Sequence, residues 1–420
     1  MQENKTSLVR TRDGKNYLVP FSLITLLFFL WGFANSTHGV LNKFFQDALQ
    51  LKSTDTAWIQ AMVYGGYFLM AIPASKIISR FGYKTGALTG LCLFGVGALL
   101  FYPASTTLSF TFFLFALFVM GCGMTCLETA CNPYATRLGD PETGVQRLNM
   151  AQTFNGLGCI GGPAIGLLVY SGDTETAATE DGMFRVALPY ICMGLTAFAV
   201  ALFFSFIKLP DIRDVKSQNV DEADAKSGLI HNNGFLLGAL ALFMYVGAQT
   251  VLNSYFIGYT TSLEGLDISP KTASLLLGFG AMTLFLLGRI ICNWVMKFVE
   301  APKILAVFSI GGVVTMFLMA IQILGSSANL AMYMLAFFFE SLMFPAVFAL
   351  SIEGLGKKDT QTASAILIMC IVGGAVVPIV MAWVENVTSM AFSFVVPSVC
   401  FLFVLIFALY KVIFLKKANI

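Results

Sequence analysis

The sequence predicts an all-α membrane protein of twelve transmembrane helices, arranged as two pseudo-two-fold related six-helix bundles. Three observations predict it. Of 420 residues, 57% are hydrophobic and only 11% charged, whereas a water-soluble domain carries about 25% charged residues. A chain this apolar cannot cover its surface with groups that water solvates. The apolar residues also fall into twelve runs, and a helix crosses the hydrocarbon core with about 20 residues. The third observation is that the two halves of the chain repeat one another.

The first run, 18–45, follows the polar segment "MQENKTSLVRTRDGKNY". No short apolar core with a small-residue cleavage site follows that segment, so the first run is expected to be retained as a helix. The remaining runs lie at 55–79, 84–103, 108–136, 147–170, 187–207, 234–261, 270–296, 302–324, 328–352, 361–385 and 390–414. Their loops set the orientation. All but four of the 25 Lys and Arg fall on one side, the exceptions being Lys43, Lys52, Arg185 and Lys271. The positive-inside rule places that side, with both termini, in the cytoplasm; an inner (plasma) membrane is the expected location. An acidic loop on the other side, "SGDTETAATEDG", agrees. After the sixth run, "LPDIRDVKSQNVDEADAKSG" is charged and lacks an apolar period, which reads as a linker. The expected layout is a tail at 1–17, a bundle at 18–208, a linker at 209–230, a bundle at 231–415 and a tail at 416–420.

The repeat runs through four pairs of helices. "GVLNKFF" from Gly39 matches "TVLNSYF" from Thr250, and "ASKII" matches "LGRII", setting Lys76 against Arg289. Cys159-Ile160 matches Cys370-Ile371, and "ETACNP" from Glu128 matches "ESLMFP" from Glu340. The offsets are 211 to 213 residues throughout. Many carriers are built as two such halves around a central site.

Several functions are excluded by what the chain lacks. No basic block interleaved with aromatics suggests nucleic acid. The nine cysteines lie in apolar runs, as small buried hydrophobes do. Cys122, Cys126 and Cys131 have no His or acidic partner nearby in sequence beyond Glu128, so neither a zinc site nor any other metal is expected. No nucleophile–base pair or phosphate loop points to an enzyme, and no cofactor is expected.

The polar residues inside the runs carry the chemistry. A carboxyl at the bilayer centre costs about 2.5–3.5 kcal/mol on insertion scales and so faces a cavity or the bundle interior. Glu128 and Glu340 are such groups, able to take up and release a proton as their access alternates. His38 titrates near neutral pH in its ordinary state. For each of the three, the plain alternative is a neutral group bonded to a neighbouring helix. Around Glu128 stand Asn132, Asn149, Gln152, Thr153 and Asn155. Asn35, Ser36, Thr37 and Asn42 lie in the first run, and Gln249, Thr250 and Asn253 in the seventh. Amides offer both donors and acceptors, as a neutral polyhydroxylated ligand requires; singly, each could equally bond helix to helix. Trp31, Phe33, Tyr64, Tyr67 and Tyr245 offer apolar faces to a sugar ring. Arg289 is expected to snorkel or to brace helices.

"FFLWGFAN", "GYFLMAIPASKI", "CLETACNPY", "RLNMAQTFN", "YVGAQT" and "LGRI" resemble the fucose–galactose–glucose group of proton symporters in the major facilitator superfamily. The resemblance runs along nearly the whole chain and implies the major facilitator fold. It implies that Glu128 is the proton-coupling and sugar-contacting glutamate. Gln152, Asn155 and Asn132 would line the sugar site, with Asn35 and Ser36 at the amide pair of the first helix. The family's aspartate position is Gly39 here, and His38 stands before it. That departure leaves Glu128, Glu340 and His38 as the proton-coupling candidates. The implied function is secondary active transport of a monosaccharide (hexose, 6-deoxyhexose or N-acetylhexosamine) with a proton, by alternating access. Asn35, Ser36, Glu128, Asn132, Gln152, Asn155, Gln249, Asn253 and Tyr64 would contact substrate. A sodium-coupled or uncoupled carrier of the same fold is the alternative, ahead of a drug exporter or a non-transporting sensor. The only other partner expected is the lipid bilayer, around a monomer.

Overall fold

The computed structural model describes residues 8–11, 14–48, 53–160, 180–207, 229 and 232–418. Helix α1 is Leu18–Ala48, α2 Ser53–Phe81, α3 Tyr83–Leu99 carried on by Phe101–Thr106, α4 Phe110–Arg137, α5 Gly144–Cys159 and α6 Glu180–Phe206. In the second half α7 is Asn233–Thr261, and α8 comprises Pro270–Leu275, a π-turn Leu276–Ala281 and Met282–Val295. Helix α9 is Ala301–Ile321, α10 Ser326–Glu340 then Met343–Ile352, α11 Lys357–Met369 then Gly373–Val387, and α12 Val395–Ala418. Among the described residues, ten helices are long and apolar enough to cross a membrane. Helix α1 adds the apolar stretch Leu18–Ala34, and α5 is described only as far as residue 160. The rest of the fifth expected run, and the expected linker apart from Leu229, lie outside the described residues.

Local chemistry sets several of the helix starts. Ser109 Oγ accepts from the Phe112 amide at 3.3 Å to open α4, and Asn232 Oδ1 accepts from the Phe235 amide at 3.1 Å to open α7. Both satisfy an amide the helix itself cannot. Pro270 and Pro302 sit in the first turns of α8 and α9, where a missing N–H loses nothing.

In lipid, helices are held together by close packing and interhelical bonds, because hydrocarbon outside is as apolar as the core. The packing of α1 on α5 depends on two glycines. A Cβ on Gly32 would collide with the Asn155 backbone, and one on Gly158 with the backbones of Phe29 and Phe33. Helix α3 lies between α4 and α6, and α2 packs on α4; in the second half α7 packs on α11 and α12, and α9 on α10 and α12. Leu69, Leu202 and Ile379 are among the large apolar side chains left on the outside, where acyl chains would cover them.

The halves meet through α2 with α11, α5 with α8, α5 with α10 and α4 with α11. Exchanging the halves maps the first contact onto the second and the third onto the fourth, as a pseudo-two-fold requires. Glu128 and Glu340 obey the repeat, both being fully buried. Two of its other consequences fail. Lys76 is exposed whereas Arg289 is buried, so these matched positions differ in environment. Helix α4 runs unbroken through Pro133, while α10 breaks after Glu340. Pro345 lacks the N–H that would bond the carbonyl four residues back, and that carbonyl, Ser341 O, instead accepts from Arg289 Nε at 3.0 Å.

Candidate functional site

The buried polar residues gather where the two halves meet. On α4, Glu128 Oε1 accepts a hydrogen bond from the Tyr67 hydroxyl of α2, and Glu128 Oε2 has no hydrogen-bond partner among the described residues. Asn132 lies one turn along the same face. Its Oδ1 accepts a long bond from Gln152 Nε2 of α5 at 3.4 Å, and its Nδ2 has no partner among the described residues. Trp31 of α1 lies beside Tyr67, its buried Nε1 next to the Tyr67 hydroxyl. Helix α4 thus holds a buried acceptor and a buried donor, one turn apart, without partners among the described residues. Leaving such a group unsatisfied costs about 1–3 kcal/mol.

Tyr64, three residues before Tyr67, packs its ring 6.4 Å from it, and its hydroxyl lies 3.0 Å from Thr250 Oγ1 of α7. That contact joins the halves near the middle of α2 and α7. In the second half, Glu340 is fully buried, and neither carboxyl oxygen has a hydrogen-bond partner among the described residues. Arg289, Tyr245 and Tyr333 lie within its electrostatic reach.

The other candidates are placed less uniformly. Asn155 Nδ2 donates to Phe28 O at 3.1 Å, so its donor bonds helix to helix, and its Oδ1 accepts a long contact from Cys159 Sγ at 4.0 Å. Ser36 Oγ turns back to Phe33 O at 2.9 Å, and Asn253 Nδ2 to Gln249 O at 2.8 Å. Gln249 is half-buried on α7. The side chains of Asn35 and His38 lie outside the described residues. Thr153 and Asn149 belong to the seam with α8: Asn293 Nδ2 donates to Thr153 Oγ1 at 3.1 Å, and Asn149 Nδ2 to Arg289 O at 3.1 Å. Two roles are not apparent in the sequence. Tyr67 donates to Glu128, where its sequence context suggests only an apolar face. Gln146, whose Nε2 donates to Asn293 O at 2.8 Å, carries no sequence signal beyond being polar.

A family model described as Major Facilitator Superfamily matches residues 24–378. The chain is 32% identical over 425 residues to an L-fucose-proton symporter of Escherichia coli (strain K12), covering 95% of this chain and 94% of that one. It is 31% identical over 405 residues to a glucose/galactose transporter of Brucella abortus, covering 95% of each. Its structure superposes with a TM-score of 0.84 on the crystal structure of FucP, a Major Facilitator Superfamily transporter in the outward conformation. That match is at 32% identity over 94% of this chain and 99% of that one.

Proposed function

This chain belongs to the Major Facilitator Superfamily, among relatives that include L-fucose–proton symporters and glucose/galactose transporters, and on that premise we propose that it is a monosaccharide:proton symporter. The relatives are carriers, not enzymes, and this chain is one too. The two bundles rock about the mid-depth polar site, with the basic side taken as cytoplasmic in an inner membrane. Glu128 carries the proton and, with Asn132, Gln152 and Asn155, contacts the sugar. Gln249 and Asn253 of α7 face it from the other half, Tyr64 lies beside Tyr67 on α2, and Asn35 and Ser36 complete the first-helix patch. Glu340 and His38 are the further proton candidates.

One observation carries this reading: Glu128 Oε2 and Asn132 Nδ2, one turn apart on α4, are buried and without hydrogen-bond partners among the described residues. A sugar hydroxyl both donates and accepts, so one ligand can satisfy both. A neutral, protonated Glu128 is admitted to the closed cleft at less cost than a carboxylate. Proton and sugar therefore favour the occluded state together, by their differential affinity for it.

Uptake into proteoliposomes tests this. L-fucose, D-glucose, D-galactose and an N-acetylhexosamine are supplied with and without an inward proton gradient, and one of them is expected to accumulate only with the gradient. Gly39 at the family's aspartate position is the observation favouring a second reading, a sodium-coupled or uncoupled carrier. Uptake driven by a sodium gradient, or unaffected by either gradient, would support that reading instead. A smaller effect is expected of Tyr67→Phe. Removing the donor to Glu128 leaves a buried acceptor unpaired, at about 1–3 kcal/mol, and gradient-driven uptake should fall by about tenfold with the same yield of folded protein. Unchanged uptake by Tyr67→Phe would show that the hydroxyl plays no part in coupling.

A further inference from the structure

The seam between α5 and α8 is a ladder of hydrogen bonds centred on one guanidinium. Arg289 is buried, yet every polar partner the structure gives it is uncharged. Its Nη1 donates to Gln152 O and lies 3.5 Å from Gln152 Oε1, its Nε donates to Ser341 O, and Phe285 stacks 4.3 Å beneath it. Gly288 lets α8 come this close, since a Cβ there would strike Phe338 and Ser341 of α10. The rungs from Gln146 and Thr153 to Asn293 extend the ladder toward the basic side. A carrier must break this seam to open on that side. Breaking it strips Arg289 of its α5 partners while Ser341 of its own half still holds it. Glu340, next to Ser341 in sequence, is the carboxyl within electrostatic reach that has no hydrogen-bond partner among the described residues.

Resting on the symporter reading, we propose that Arg289 is a two-position residue that clasps α5 when the basic side is closed and pairs with the Glu340 carboxylate when it opens. Glu340 loses its proton to water on the opening side as Arg289 arrives. Reprotonation of Glu340 from that same side frees Arg289 to clasp Gln152 again as the basic side closes, so Glu340 gates the seam without carrying a net proton across. The exchange also sets Gln152, a proposed sugar contact, in place only while the clasp is closed. The other titratable groups facing Glu340 and Arg289 are Tyr245 of α7, Tyr333 of α10, Cys159 of α5 and Cys292 of α8. These are phenols and thiols, and none supplies a rival carboxylate or cation.

Electron–electron distance measurements between nitroxides at Glu142→Cys and Lys297→Cys report this exchange. Both positions are exposed and flank α5 and α8, and the measurement uses full-length protein in nanodiscs on a background free of native cysteines. Without sugar, the long-distance population is expected to grow about fivefold from acid to alkaline pH, a shift a modest differential affinity produces. Glu340→Gln keeps the short distance, which shows that it folds, and loses the growth; Glu340→Asp keeps the growth. Glu128→Gln keeps it as well, even where that variant abolishes coupled uptake, so failure of the symporter reading and failure of the clasp give different results. A full pH response in Glu340→Gln overturns the proposal.

Discussion

Glu128→Gln is expected to abolish sugar accumulation while sparing sugar exchange. With an inward gradient of about two pH units and one proton per sugar, a symporter holds roughly 100-fold more sugar inside than outside, since each pH unit is worth about 1.4 kcal/mol. Glutamine keeps the size of the side chain and can still accept from Tyr67, so the packing around it survives. It cannot carry a proton. The accumulation ratio should therefore fall by about 100-fold, to near unity, with equilibrium exchange of labelled for unlabelled sugar largely retained. Parallel counterflow and gradient-driven uptake assays in proteoliposomes separate the two quantities. Loss of both would make Glu128 a binding residue without a coupling role.

The second large effect is structural. Gly158→Ala is expected to eliminate folded protein, because the added Cβ would enter the backbones of Phe29 and Phe33 on α1. Backbone cannot rotate out of the way as a side chain can, and overpacking of even yielding sites costs about 1–3 kcal/mol. Gly65→Ala is the control: it too lies within a helix, but a Cβ there meets nothing within 4 Å. Removing that glycine should be neutral or stabilising by up to about 1 kcal/mol, from helix propensity alone. Fluorescence-detected size exclusion of the two variants makes the comparison. Equal yields would contradict the α1–α5 packing.

What the sequence made legible, and what it did not, follows from what each residue must satisfy. The helices are legible because crossing lipid demands unbroken apolar length. Glu128 and Glu340 stand out because a charge there is costly, and both prove buried. The fate of an amide is another matter. Asn155 and Gln152 read alike as polar residues on one helix, yet Asn155 donates to α1 while Gln152 reaches toward Asn132 and Arg289. Which partner an amide finds is set by how the helices cross, and no local pattern encodes that. The Lys76–Arg289 match fails for a related reason. A repeat preserves helix order, but Arg289 is buried because Gly288 beside it on α8 admits a close neighbour and because α10 offers the freed Ser341 carbonyl, neither of which Lys76 shares. Pro345 was visible throughout; that its orphaned carbonyl would be met by an arginine was not. Tyr67 could not be told from a packing aromatic until α2 was laid against α4.

The most direct test of proton-coupled sugar transport needs no imposed gradient. Sealed, de-energised vesicles containing the protein are placed in lightly buffered medium, and sugar is added to the outside. If sugar and proton move together, the external medium turns alkaline as sugar enters, and Glu128→Gln shows no such change. If labelled sugar enters at the wild-type rate with no change in external pH, the protein carries sugar without protons and the proposed role of Glu128 is wrong.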